Sequence, residues 1–194
     1  MKPFPSVSKF CLTLLLSAVC MAAVAAEEKP PALVLEFAGA AAEPEWSAVN
    51  DGVMGGLSQG GPRIHDGVLY FSGRLSLENN GGFSSVRTRP GNYDLSATKA
   101  MILRVKGDGR TYQLRISTDA RHRGSRISYG ADFPTKAGEW TEVTVPFETL
   151  VPSHHGRQLA GPPLDLSKVE EIGLLLGDGR AGDFALAVEW MKAQ

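Results

Sequence analysis

Three arginines stand where a polar sheet face could use them. Arg87, Arg104 and Arg115 each fall in an alternating stretch, opposite in phase to its apolar residues. Leu103 and Val105 flank Arg104, Leu114 and Ile116 flank Arg115, and Ser84 and Val86 share the inward phase beside Arg87. A guanidinium is a planar fork that grips carboxylate, phosphate or sugar hydroxyls. Arg104 and Arg115 stand at near-equal distances from Asp108-Gly109, so a hairpin there would bring both to one face. The expectation is a single binding surface formed by Arg87, Arg104 and Arg115, with the Asn50-Asp51 loop beside it. Like charges so placed repel unless acids or a ligand answer them, and Asp51 and Asp132 are the acids at hand. The plainer alternative is that each arginine ties neighbouring strands together through a nearby carboxylate.

Other chemistry is harder to assemble. Asn50 to Ser58 reads NDGVMGGLS, but no Lys-Ser/Thr pair or helix follows, as a phosphate loop requires. It reads as a tight bend, or as a loop lip beside a binding surface. His65, His122, His154 and His155 lack helical pairing and have no cysteine beside them, so they read as solvated loop residues rather than zinc ligands. No Asp-x-Asp-x-Asp loop supports calcium. No G-x-S-x-G elbow is present. Glu78, Asp132, Glu139 and Glu142 cannot be paired for glycoside hydrolysis from spacing alone. The expectation is therefore no enzyme, no metal and no cofactor.

The elements that must position these residues have a period of two. Leu69, Phe71, Leu75 and Leu77 alternate with polar residues, as do Tyr112, Leu114 and Ile116. Val143, Val145 and Phe147 do the same, and so do Phe184, Leu186, Val188 and Trp190. Such alternation predicts strands with one face in a core. Further strands are expected over 33–37, 84–87, 100–106, 126–133 and 172–176. At most a turn or two of helix is expected, around Phe147 to Leu150. Asp51-Gly52, Asp66-Gly67, Asn80-Gly81, Asp108-Gly109 and Asp178-Gly179 are turn pairs. The whole predicts an all-β single domain, a β-sandwich or jelly roll over residues 33–193. One internal echo is present. Asp94-Leu95-Ser96 leads to Gly107-Asp108-Gly109-Arg110, and Asp165-Leu166-Ser167 leads to Gly177-Asp178-Gly179-Arg180.

The start of the chain reads differently. Lys2 and Lys9, the apolar run Phe10 to Val19 and the small residues up to Ala26 have the layout of a secretory signal peptide. Residues 1–26 are read as that peptide and 27–32 as a short leader, so the mature chain starts at Glu27, periplasmic or secreted. A mitochondrial transit peptide would be Arg-rich, whereas the first arginine is Arg63. A lipoprotein signal at Cys20 and an uncleaved anchor over Phe10 to Ala26 rank behind cleavage. Cleavage removes Cys11 and Cys20, the two cysteines, and leaves 18 basic against 21 acidic residues, a net charge of −3. Nucleic-acid binders are normally strongly basic, so none is expected as a partner.

The residues in this order resemble the complex I intermediate-associated protein 30 family. The resemblance rests on Trp46 to Ser58, Phe71-Ser72-Gly73, Glu78 to Arg87 (ENNGGFSSVR), Asp94 to Ser96, Val105 to Tyr112, Trp140 to Phe147, Pro152 to Arg157 and Leu164 to Asp178. It implies a galactose-binding-domain-like sandwich, similar to some carbohydrate-binding modules. It also implies an assembly-factor or chaperone-like role, holding subunits of NADH:ubiquinone oxidoreductase without catalysis. The expected partner is then a protein, such as a membrane-complex subunit, with a glycan as the rival ligand. Two departures are read: the chain is the domain alone, and it carries an export signal.

Overall fold

The computed structural model describes Met1, residues 33–37 and residues 45–194. Apart from Met1, the expected signal peptide lies outside those residues, as does the whole of the leader, 27–32.

Two antiparallel sheets face each other. One has six strands. Along it run β3 (Gln59–His65), β4 (Val68–Leu75), β13 (Gly182–Ala193), β6 (Ala100–Lys106) and β9 (Trp140–Pro146), with β1 (Leu33–Glu36) also paired to β13. The other has seven, in the order β11 (Arg157–Gln158), β10 (Val151–His154), β8 (Ser125–Pro134), β7 (Thr111–His122), β12 (Val169–Leu176), β5 (Ser84–Thr88) and β2 (Trp46–Asn50). The alternation explains both layers. Met101, Leu103 and Val105 of β6 and Phe71 of β4 point in from one sheet, and Tyr112, Leu114, Ile116 and Leu174 from the other, all fully buried. Burying a side chain of this size contributes roughly 1.5–3 kcal/mol. The short helical turn expected after β9 is a 3₁₀ turn, Phe147–Thr149. The expected all-β, jelly-roll architecture is the one observed.

Local readings fail at two strand ends. Leu77 lies beyond the end of β4 and is exposed. Trp190 was expected in the core, but the pairing of β13 with β6 shifts between Val188 and Trp190. This bulge turns Met191 inward and leaves Trp190 partly exposed, because one extra residue inverts every later side chain. Strand β3 was not foreseen, since Gly60, Gly61 and Pro62 hide its pattern; it is an edge strand, where proline costs no ladder bond.

The turns divide into two kinds. Asp66-Gly67 closes the β3–β4 hairpin, both residues left-handed at φ 50° and 73°. Asp108-Gly109 does not make a hairpin: β6 belongs to the six-stranded sheet and β7 to the seven-stranded one. Asp178-Gly179 likewise carries β12 across to β13. The internal echo is therefore a pair of arches side by side, since β6 pairs with β13 and β7 with β12.

Candidate functional site

The outer face of the seven-stranded sheet is hollowed into a cleft of about 580 Å³. Its floor comes from the outward phase of neighbouring strands: Ser85 and Arg87 of β5, Glu171 and Gly173 of β12, Gln113 and Arg115 of β7, Ser128 and Gly130 of β8. Arg115 lies at the centre. Its register partners on both sides are glycines, Gly173 and Gly130, and Gly173 in turn faces Arg87. The missing side chains make room. A Cβ at Gly130 would lie 3.1 Å from Arg115 Cδ, and one at Gly173 only 2.7 Å from the Val86 carbonyl oxygen.

Over that space the Arg115 side chain leans toward β10. Its Nε donates to Ser128 Oγ (2.8 Å), Nη1 to Gln113 Oε1 (3.0 Å) and Nη2 to Ser153 Oγ (3.2 Å). All three acceptors are neutral. Burial, with Arg87 nearby, pushes the guanidinium below its ordinary pKa while Asp132 opposes, yet an arginine stays charged at neutral pH. The acid that does serve this face is Glu171, which the sequence reading did not name. It lies 3.3 Å from Arg126 and 3.8 Å from Arg87, with Glu170 holding the other side of Arg126 at 2.8 Å. Arg126 and Arg87 thus have carboxylate neighbours, and among the described residues Arg115 has none in salt-bridge range.

Asn50 and Asp51 were expected on the binding surface, but both serve the fold. Asp51 is fully buried. Its Oδ1 accepts from the Ser58 N–H (2.9 Å), and its Oδ2 from the Ser58 hydroxyl (2.5 Å), the Gly82 N–H (2.6 Å) and the Phe83 N–H (3.3 Å). Burial pushes this carboxyl up, but those hydrogen bonds outweigh it and hold the pKa below the ordinary aspartate value. Asn50 donates to the Gly60 carbonyl and accepts from Ser84 Oγ. The NDGVMGGLS and ENNGG segments are thus knotted around one carboxylate. The knot raises a lip: Val53 and Met54, 75% and 56% exposed, lie on the 3₁₀ turn Asp51–Met54 and line the cleft.

Arg104 does not join the other two arginines. It projects from the outer face of the six-stranded sheet, with Nε 2.5 Å from Glu189 and Nη1 3.7 Å from Glu142. The expected three-arginine face does not form, because the arch puts β6 and β7 in different layers and "outward" then means opposite sides of the sandwich. Its side chain is 37% exposed, so the pair is worth little. Arg104→Ala is expected to cost less than about 1 kcal/mol in a urea melt and to leave cleft binding unchanged; a larger loss of binding would put the site on the wrong sheet.

The histidines also differ from expectation. His122, His154 and His155 cluster, with ring centroids 4.9 and 4.1 Å apart. Burial and its neighbours His155, His122 and Arg123 push the His154 imidazole below its usual value. Among the described residues no group of three or more His, Cys, Asp or Glu is placed to hold a metal ion. Vicinal His154-His155 was the signal available, but its meeting with His122 depends on how β7 and β10 flank β8.

Comparison with known proteins places these features. A family model described as complex I intermediate-associated protein 30 matches residues 35–188. The mouse protein named Complex I intermediate-associated protein 30, mitochondrial, is 34% identical over 104 residues, covering 52% of this chain and 31% of its own length. A Neurospora crassa protein of the same name is 28% identical over 147 residues, covering 63% of this chain and 50% of its own. The chain thus spans half or less of these two relatives. An uncharacterized Schizosaccharomyces pombe protein is 28% identical over 171 residues, covering 78% of each chain. Among solved structures, the family 11 carbohydrate-binding module of a cellulosomal cellulase of Clostridium thermocellum superposes with a TM-score of 0.64 at 13% identity, over 85% of this chain and 95% of that one. A family 30 carbohydrate-binding module gives a TM-score of 0.52 at 13% identity, over 84% and 99%. Identity this low shows the shared galactose-binding-like sandwich and nothing of function. The expectation of a periplasmic or secreted location is overturned, since the mouse and Neurospora relatives are both named as mitochondrial. The basic, apolar and small-residue pattern behind it sits in residues 1–26, outside the matched family region, and that pattern alone does not fix a destination.

Proposed function

The chain belongs to the complex I intermediate-associated protein 30 family, and from that footing we propose that it is a non-enzymatic, assembly-factor-type protein that holds a subunit of respiratory complex I in the cleft of its seven-stranded sheet. The observation that carries this reading is Arg115, a partly buried guanidinium at the centre of the cleft whose partners among the described residues are all neutral. A structural arginine is normally answered by a carboxylate inside the protein; this one is left for a partner. The exposed Val53 and Met54 add the apolar surface that protein recognition uses. No nucleophile pattern in the sequence argues for catalysis.

The test is affinity capture from a detergent extract of membranes containing the respiratory complex, with a glycan array run beside it. The wild-type chain is expected to retain identified complex I subunits. Arg115→Met should weaken that retention by about 1–3 kcal/mol, or roughly 5- to 150-fold, in a chain whose circular dichroism shows it folded. Equal retention by the variant refutes the site. Strong glycan binding without a protein partner refutes the function, in favour of a carbohydrate-binding module. That rival has fold likeness behind it, but Phe83 is the one Phe, Tyr or Trp among the cleft-lining residues.

A further inference from the structure

We propose that the cleft takes an extended acidic peptide segment, with one carboxylate of the segment seated on Arg115. The inference rests on the reading of this cleft as the partner site, and it names the chemistry of what enters.

Charge is the first argument. Arg87, Arg115 and Arg126 line the cleft, and Glu171 is the one carboxylate among the lining residues. Glu171 already stands between Arg87 and Arg126. An arginine partly withdrawn from water is costly unless a counter-charge answers it. Arg115 has five N–H donors, and three donate to neutral oxygens of Ser128, Gln113 and Ser153. The donors that remain suit the two oxygens of a carboxylate.

The surroundings argue for a peptide. Val53 and Met54 supply apolar surface on the lip, and Val151, 41% exposed, supplies it on β10. The amides of Gln113 and Gln158 and the Ser128 hydroxyl offer hydrogen bonds to peptide N–H and C=O groups. An extended chain sends alternate side chains to one side, so apolar and acidic residues in alternation would meet apolar lip and central arginine in turn. An acidic sugar would use the arginine and leave the apolar lip bare. Gly173 keeps the floor open between Arg87 and Arg115, since any side chain there would collide with the β5 backbone.

The experiment is selection of a displayed library of random twelve-residue peptides on the purified chain, then fluorescence anisotropy with one selected peptide. Selected sequences are expected to share an Asp or Glu with apolar neighbours. Changing that residue to Asn or Gln should weaken binding roughly tenfold or more. Arg115→Met should do the same, and the two changes together should cost little more than either, as for a direct contact. Arg115→Lys, which keeps the charge and loses the fork, should fall between, and it stands in if the Met variant does not fold. An oligogalacturonate and inorganic phosphate are competitors expected to displace the peptide weakly. No enrichment, enrichment without an acidic position, binding indifferent to both Arg115 variants, or stronger binding of the oligogalacturonate would each overturn the proposal. If complex I capture depends on Arg115 while no acidic peptide is selected, the ligand class falls and the assembly reading stands. If acidic peptides bind through Arg115 while capture ignores it, the reverse holds.

Discussion

Arg110→Met is expected to lower the unfolding free energy by about 3–5 kcal/mol, the usual loss when one partner of a buried ion pair is removed. For a domain of this size that is a fall in melting temperature of roughly 6–20 °C. Arg110 sits on the first arch and Asp178 on the second, with side chains 7% and 11% exposed. The contact is bidentate, Nε to Oδ2 at 3.0 Å and Nη2 to Oδ1 at 2.5 Å. Nη1 also donates to the Asp183 carbonyl (3.3 Å), and Nη2 to that of Arg180. One guanidinium therefore ties both crossings between the sheets, and methionine would leave a carboxylate and two carbonyls short of a donor. The hydrogen bond from Arg110 is the main reason the Asp178 pKa lies below its ordinary value; burial opposes it, and the Arg180 N–H assists. A depressed carboxyl contributes stability that is complete above its unfolded pKa of about 4. That stability is lost as pH falls through the folded value. Urea melts should thus show the full gap between wild type and variant at neutral pH and a smaller one in acid. Adding Asp178→Leu should recover much of the loss, because a dry apolar pair leaves no charge stranded. A loss under 1 kcal/mol would show that the arches are held by packing alone.

Asp51→Ala is expected to cost about 2–4 kcal/mol, since it strands the N–H groups of Ser58, Gly82 and Phe83, while the Ser58 hydroxyl keeps the Ser76 carbonyl as an acceptor. The carboxylate is also caged by two glycines. A Cβ at Gly56 would lie 2.5 Å from Oδ1, and one at Gly81 2.6 Å from Oδ2. Gly56→Ala and Gly81→Ala should therefore destabilise in the same direction without removing any hydrogen-bonding group. The pH sign matches that of Asp178: the contribution is present above about pH 4 and fades in acid. Chemical denaturation of the three variants checks this. If Asp51→Ala melts with the wild type while the glycine variants do not, space and not hydrogen bonding organises the lip. The lip carries Val53 and Met54 into the cleft, so Asp51→Ala should also weaken partner capture, though Asp51 touches no partner.

The same residues show where sequence reading works and where it stops. Alternation was enough for β6, β7, β9 and most of β13, because side-chain direction in a strand is a local property with period two. It also assigned Arg87 and Arg115 correctly to the outward phase. It could not tell the Asp66-Gly67 hairpin from the Asp108-Gly109 arch. Both pairs allow the same backbone turn, and they differ in which strands pair afterwards. Asp51 was read as an exposed acid for want of any local sign that its four donors come from Ser58, Gly82 and Phe83.

By itself, then, the sequence determined the all-β class, the inward and outward phases of most strands, and the two glycine-rich segments that mark the family. Tertiary structure decided which arginine of the cleft has no carboxylate in range among the described residues. Arg104 is answered by Glu189 across β13, Arg110 by Asp178 from 68 residues away, and Arg126 by Glu170 from 44. Among the described residues Arg115 meets Gln113, Ser128 and Ser153, all neutral. Charge pairing acts over a few ångströms between strands distant in sequence, so it follows from sheet order and register, which alternation along one strand does not encode.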